Sequence, residues 1–243
     1  MKNDPMRLQR ILGYSFQNPM LLKEALMHKS FAMENQILYD NQRLEFLGDA
    51  VLQIILTRHL FHRYPDLHEG DLTKIRSALA NQDSLAKLAR SIELGKNIMF
   101  GKGELETGGT DRDSTLCDAF EALLAAVMLD SDEATAEKLF LDLMAKHFPE
   151  PSELLKTLNP KGALQEYTQK NYSMAPVYET LSVSGEDHNP VFDVAISLRG
   201  IRLAAATANK RKNAEILAAR EALEFLQRED LPEELKRKES VPC

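Results

Sequence analysis

Apolar residues recur at helical spacing through roughly the first 148 positions, which predicts an all-α region. Asn18-Pro19 opens a run that holds Leu21, Leu22, Ala25, Leu26 and Met27. A long run from Glu45 to Tyr64 stops near Pro65. Gly70-Asp71 precedes an amphipathic stretch over Leu72 to Leu79, and Gln82 to Ile92 follows, closed by Gly95. Asp111-Arg112-Asp113-Ser114 offers N-cap chemistry ahead of a run reaching Leu129. Ala134 to His147 completes the set, and only Gly101 to Gly109 reads as irregular.

Phe148-Pro149-Glu150-Pro151 breaks this pattern and marks a linker over residues 149–157. The pattern then changes. Pro160 to Lys170 reads as a short helix. Val177 to Ser184, Val191 to Leu198 and Ile201 to Thr207 read as strands, with turns at Gly185 to Pro190 and at Arg199-Gly200. Asn209 to Leu226 reads as a closing helix. The expectation is an all-α domain over 1–148, a small α-β-β-β-α domain of the α+β class over 158–228, and a charged tail over 229–243.

Composition narrows the class. The 243 residues are 44% hydrophobic and 28% charged, an ordinary globular balance. No apolar run approaches membrane-spanning length, and no apolar signal-peptide core follows the first residues. Cys117 and Cys243 are the only cysteines, which argues against a disulfide framework or a cysteine-based zinc site and fits a reducing cytoplasm. The net charge of −7 does not announce a nucleic-acid binder, but its distribution is uneven. Residues 1–150 hold 17 basic and 23 acidic side chains, whereas residues 158–228 hold 9 and 8. The positive charge of the second region concentrates at Lys210-Arg211-Lys212.

Four acids stand out from this background. Glu45 and Asp49 are four apart, and Asp118 and Glu121 are three apart. Either spacing puts both acids of a pair on one helix face. Leu44, Phe46, Leu47, Val51 and Leu52 around the first pair, and Phe120, Leu123 and Leu124 around the second, read as core. Acids in apolar helices are costly unless a cation meets them. Four hard oxygen donors suit Mg²⁺ or Mn²⁺, and a two-metal phosphodiesterase centre is the functional reading. The alternative is that the acids lie on solvated faces and pair with Arg43 or Arg112. His28, beside Lys29 and Ser30, reads as a structural hydrogen-bonder, and His59 and His62 as surface residues.

The segment Asn41-Gln42-Arg43-Leu44-Glu45-Phe46-Leu47-Gly48-Asp49 resembles the signature of ribonuclease III, the double-strand-specific endoribonuclease. The resemblance runs over nearly the whole chain, including His28-Lys29-Ser30, Thr107-Gly108-Gly109 and Asp118-Ala119-Phe120-Glu121-Ala122. It implies a metal-dependent homodimer that leaves 5′-phosphates and 3′-hydroxyls. It matches Glu45, Asp118 and Glu121 to metal ligands, Asp49 and Glu121 to catalytic acids, and Phe46 to a subunit interface. Gln42 departs from the family, which usually has Glu there.

The α-β-β-β-α order, with Asn159-Pro160-Lys161-Gly162-Ala163-Leu164-Gln165-Glu166-Tyr167, resembles a double-stranded RNA-binding domain. Such domains read A-form shape across two minor grooves. The resemblance implies contacts from Gln165, Glu166 and Gln169, from His188 in the loop between the first two strands, and from Lys210, Arg211 and Lys212 at the last helix start. The overall expectation is a cytoplasmic, Mg²⁺-dependent, homodimeric nuclease of double-stranded RNA, with ribosomal RNA precursors among its substrates. A double-stranded RNA binder that does not cut, and a hydrolase of small phosphoesters, are the competing readings.

Overall fold

A computed structural model describes residues 4–186, 189–228, 231, 232 and 235. The chain divides into two compact units, Met1–Pro149 and Glu150–Cys243. The first is helical: α1 (Pro5–Leu12), α2 (Pro19–Ala25), α3 (Lys29–Glu34), α4 (Gln42–Arg63), α5 (Glu69–Leu79), α6 (Gln82–Ser91), α7 (Lys102–Glu106), α8 (Asp113–Asp130) and α9 (Glu133–His147). Side chains of Asp4, Asn18, Asn81 and Asp132 cap four of these helices by accepting first-turn N–H groups.

The centre of this unit is α8. Leu116, Phe120, Leu123, Leu124 and Val127 are buried along it, and it packs against α2, α4, α6 and α9. The approach of α4 is closest at Gly48. A Cβ placed on Gly48 would lie 1.9 Å from the Glu121 carbonyl oxygen, so only glycine permits this crossing. At the far end of α8, Asp130 holds the entry to α2. Its Oδ2 accepts from Tyr14 Oη at 2.6 Å and from the Gln17 amide at 2.8 Å, and its Oδ1 accepts from the Asn18 amide at 2.7 Å.

Four helices exceed the sequence expectation in this chain. α1 and α3 each bury one residue, Leu8 and Ala32, too few to write a period. α10 (Pro151–Leu158) lies where a linker was expected, with Pro151 at its first turn. The Gly101 to Gly109 stretch is also ordered: it contains α7 and opens a 3₁₀ turn, Gly109–Asp111, after Gly108 at φ 77°.

The second unit continues with α11 (Pro160–Tyr172), β1 (Val177–Glu186), β2 (Asn189–Leu198), β3 (Ile201–Ala208) and α12 (Arg211–Leu226). The strands form one antiparallel sheet in the order β1-β2-β3. Arg199 and Gly200, at φ 53° and 77°, make the two-residue turn that closes the Leu198↔Ile201 pair. Leu164, Ile196, Leu198, Leu203, Ala218, Ala222 and Leu226 build the core between α11, α12 and the sheet. Leu235, in the segment read only as a charged tail, is buried in that same core.

Candidate active site

Two helices carry the four acids, and Gly48 brings them together. Glu45 and Asp49 lie one turn apart on α4, on either side of the close crossing, and Asp118 and Glu121 lie one turn apart on α8. Oxygen atoms of Asp118 and Glu121 and the Cys117 sulfur lie within 4.8 Å of one another. Burial first, then the charges of Asp49, Asp118 and Glu45, push the Glu121 carboxyl up to about 8. Burial and the charge of Asp118 raise Glu45, and burial raises Asp118. Three acids are thus held where ionisation is unfavourable, and Lys29 offsets this for Glu45 and Asp118 only in part. Oxygen donors so arranged fit a hard divalent cation.

The Arg112 guanidinium and the His28 imidazole hydrogen-bond elsewhere. Arg112 is taken by Glu104, and also donates to Thr107 Oγ1 at 3.3 Å. His28 caps α3: its Nδ1 accepts the Ser30 amide at 3.3 Å and lies 2.8 Å from Ser30 Oγ, which accepts the Gly101 amide at 2.9 Å. Burial lowers the His28 pKa, which favours the neutral ring. Gln42 stands exposed at the first position of α4, its amide donating to Asp40 Oδ1 at 3.0 Å. The His59 and His62 pair gains no metal set: among the described residues, Cys117, Asp118 and Glu121 form the one group whose ligand atoms lie this close, and Glu45 and Asp49 stand outside it, acting on Glu121 through their charge.

Sequence reasoning assigned Cys117 no part in the site. Its spacing from Glu121 was the available signal, since four residues on a helix share a face. The thiol donates to Glu121 Oε1 at 3.9 Å, and burial followed by the surrounding acids pushes it up to about 12. Phe46 corrects the reading in the other direction. Leu44, Val51 and Leu52 are buried, but Phe46 is 82% exposed on the opposite side of α4. Ile54 and Phe61 continue that exposed apolar face.

In the second unit, Gln165, Glu166 and Gln169 are exposed on α11. Lys210, Arg211 and Lys212 are exposed where α12 begins, and no side chain caps that start. His188 lies outside the described residues.

The comparisons with known proteins fall on the two units separately. Residues 18–147 match the Ribonuclease-III-like family, and residues 160–226 match the double-stranded RNA binding motif. A Ribonuclease 3 of Oleidesulfovibrio alaskensis is 41% identical over 224 residues, covering 92% of this chain and 98% of the relative. The chain belongs to the ribonuclease III family.

A Ribonuclease 3 of Campylobacter jejuni subsp. doylei is likewise 41% identical over 220 residues, covering 90% of this chain and 96% of the relative. Two solved structures of the Campylobacter jejuni ribonuclease III nuclease domain share 42% and 43% identity with it. Each has a TM-score of 0.57, and they cover 60% and 62% of this chain and 99% of their own. The first of them is described as having structural flexibility in a region involved in dimer formation. As a ribonuclease III, this chain is an endoribonuclease of double-stranded RNA, with a nuclease unit followed by a unit that binds double-stranded RNA. The family is generally dependent on divalent metal. No described helix is long and apolar enough to cross a membrane.

Proposed function

We propose that the protein is a homodimeric, Mg²⁺-dependent ribonuclease III that hydrolyses duplex RNA to 5′-phosphate and 3′-hydroxyl ends. The observation that carries this reading is the convergence of four acids across the α4–α8 crossing, with Glu121 pushed up to about 8. Glu45, Asp118 and Glu121 would hold the divalent ion, Mg²⁺ or Mn²⁺. An ion bound there supplies the activation of water and the neutralisation of phosphate charge. Asp49 and Glu121 are the catalytic acids. Asp49 is exposed, with Oδ1 3.4 Å from Gln53 Nε2, and in this reading orients water or the leaving oxygen. Attack in line on phosphorus leaves the 2′-hydroxyl intact.

The exposed apolar face of α4 supports the dimer. Phe46 at 82% exposure and Phe61 at 65% are large apolar groups that a second copy would cover. An isologous pairing brings two cleavage centres and two RNA-binding units to one duplex. In those units Gln165, Glu166 and Gln169 read 2′-hydroxyls, His188 enters the next minor groove, and Lys210, Arg211 and Lys212 meet phosphates. Stems of ribosomal and other precursor RNAs in the cytoplasm are the substrates of this reading.

The test is direct. Labelled duplex RNA is incubated with the protein and Mg²⁺, with EDTA, and with Glu121→Gln. Cleavage is expected only with metal and an intact Glu121, and products should carry 5′-phosphates. Binding without cleavage in every lane would sink the reading.

A further inference from the structure

Glu215 occupies an unusual place for an acid in an RNA-binding unit. It sits one turn into α12, behind Lys210-Arg211-Lys212. Its side chain is only 13% exposed. Oε1 accepts from Arg211 Nε at 3.0 Å, and Oε2 accepts from Lys161 Nζ at 2.5 Å. The hydrogen bond from Lys161, with a second from Arg211, outweighs burial and holds this carboxyl below the usual range. Lys161 is pinned from a second side, its ammonium lying 4.7 Å from the centre of the Tyr178 ring. One carboxylate therefore ties the start of α11 to the start of α12.

Those two starts matter for a specific reason. Lys161, Gln165 and Gln169 are spaced four apart on α11 and share a face. That face leads from the proposed minor-groove contacts to Glu215. Arg211 gives Nε to Glu215, while its side chain is 61% exposed and its guanidinium has further N–H donors to offer. A duplex presents minor groove and phosphates at a fixed separation, so a protein that fixes the same separation in advance binds with less ordering cost.

We infer that Glu215 is a positioning residue for RNA: it sets the spacing between the α11 face and the basic start of α12, and aims Arg211 and Lys161 at phosphates. This rests on the proposed reading of α11 and α12 as the RNA-contacting elements. It makes a counter-intuitive prediction. Glu215→Gln removes a negative charge from an RNA-binding surface, which by charge alone strengthens binding. Positioning requires the opposite.

The experiment measures binding of a labelled RNA duplex to the full-length protein by fluorescence anisotropy in EDTA, across a salt series. Glu215→Gln is expected to weaken binding about fivefold, a coupling of ordinary size for groups in one network. The slope of log affinity against log salt should become shallower by about one, the loss of about one phosphate contact. Glu221→Gln, exposed on the same helix, should leave binding unchanged or slightly tighter. Equal or tighter binding by a folded Glu215→Gln overturns the inference. If melting shows that this variant does not fold, Arg211→Lys takes its place. That substitution keeps the charge and loses the Nε–H bond, so the same weakening is expected and unchanged binding overturns the proposal. Lys210→Gln with Lys212→Gln tests the underlying reading separately: wild-type affinity in that variant removes the RNA surface itself, whatever Glu215 does.

Discussion

A carboxyl group with its pKa near 8 keeps its proton through neutral pH, and Glu121 is such a group before any cation arrives. Its ordinary value is 4.5, so the folded state binds this proton more tightly than the unfolded chain does. Stability from this group is therefore present below the unfolded value and is lost as pH rises toward about 8. In EDTA, Glu121→Gln should melt near the wild-type temperature at about pH 5 and above it at about pH 8. A gap that does not widen with pH would contradict the assignment. Gly48 gives the second expectation at this scale. Gly48→Ala puts a methyl 1.9 Å from a backbone oxygen of Glu121 and should destabilise the protein by about 3 kcal/mol or more, read by urea unfolding. It should also depress cleavage, since Glu121 must move. The acids and their spacing are legible in the sequence. The part played by Gly48 is not, because the contact it allows lies 73 positions away in the chain. The outward direction of Phe46 is not written in the helix pattern, where it reads as core; the family resemblance, which assigned it to a subunit interface, pointed the other way.

Among the elements, α8 is held by its ends as well as its core. Asp130 at its last turn accepts three hydrogen bonds from the segment between α1 and α2. Burial works against its charge, but the bonds from Tyr14, Asn18 and Gln17 prevail and hold the carboxyl below its usual value. Its contribution is thus present above the ordinary carboxylate range and is lost as pH falls through the lower folded value. Asp130→Asn turns one acceptor into a donor facing these groups and should cost about 2 kcal/mol in chemical unfolding. An unchanged midpoint would remove the latch. Long elements such as α4 and α8 were readable because they bury many residues at helical spacing. α1 and α3 were not, because each buries a single residue, and α10 was not, because Pro149 and Pro151 read as a break. Their existence depends on what they pack against and on how their ends are capped.

For the whole molecule the exposed face of α4 and the RNA-binding unit decide behaviour. Phe46→Glu places a charge at the proposed dimer interface and should give a monomer by light scattering, with cleavage of long duplexes reduced together with dimer content. A dimer of unchanged mass would mean that the contact lies elsewhere. Replacing His188, Lys210 and Lys212 with Ala should weaken duplex binding far more than it slows cleavage at saturating RNA and low salt. An unchanged binding curve would remove those residues from the RNA surface.

The sequence alone determined an all-α stretch followed by an α-β-β-β-α order, and the spacing that puts each pair of acids on one helix face. Periodicity, turn residues and local spacing are written over a few consecutive turns, and a linear reading captures them. Tertiary structure decided which groups meet. It set the α4–α8 approach at Gly48, the strength with which three carboxylates and burial act on Glu121, and the ion pairs by which Glu215 joins Lys161 to Arg211. These depend on distances between residues far apart in the chain, and electrostatic energy depends on distance and burial rather than on sequence separation.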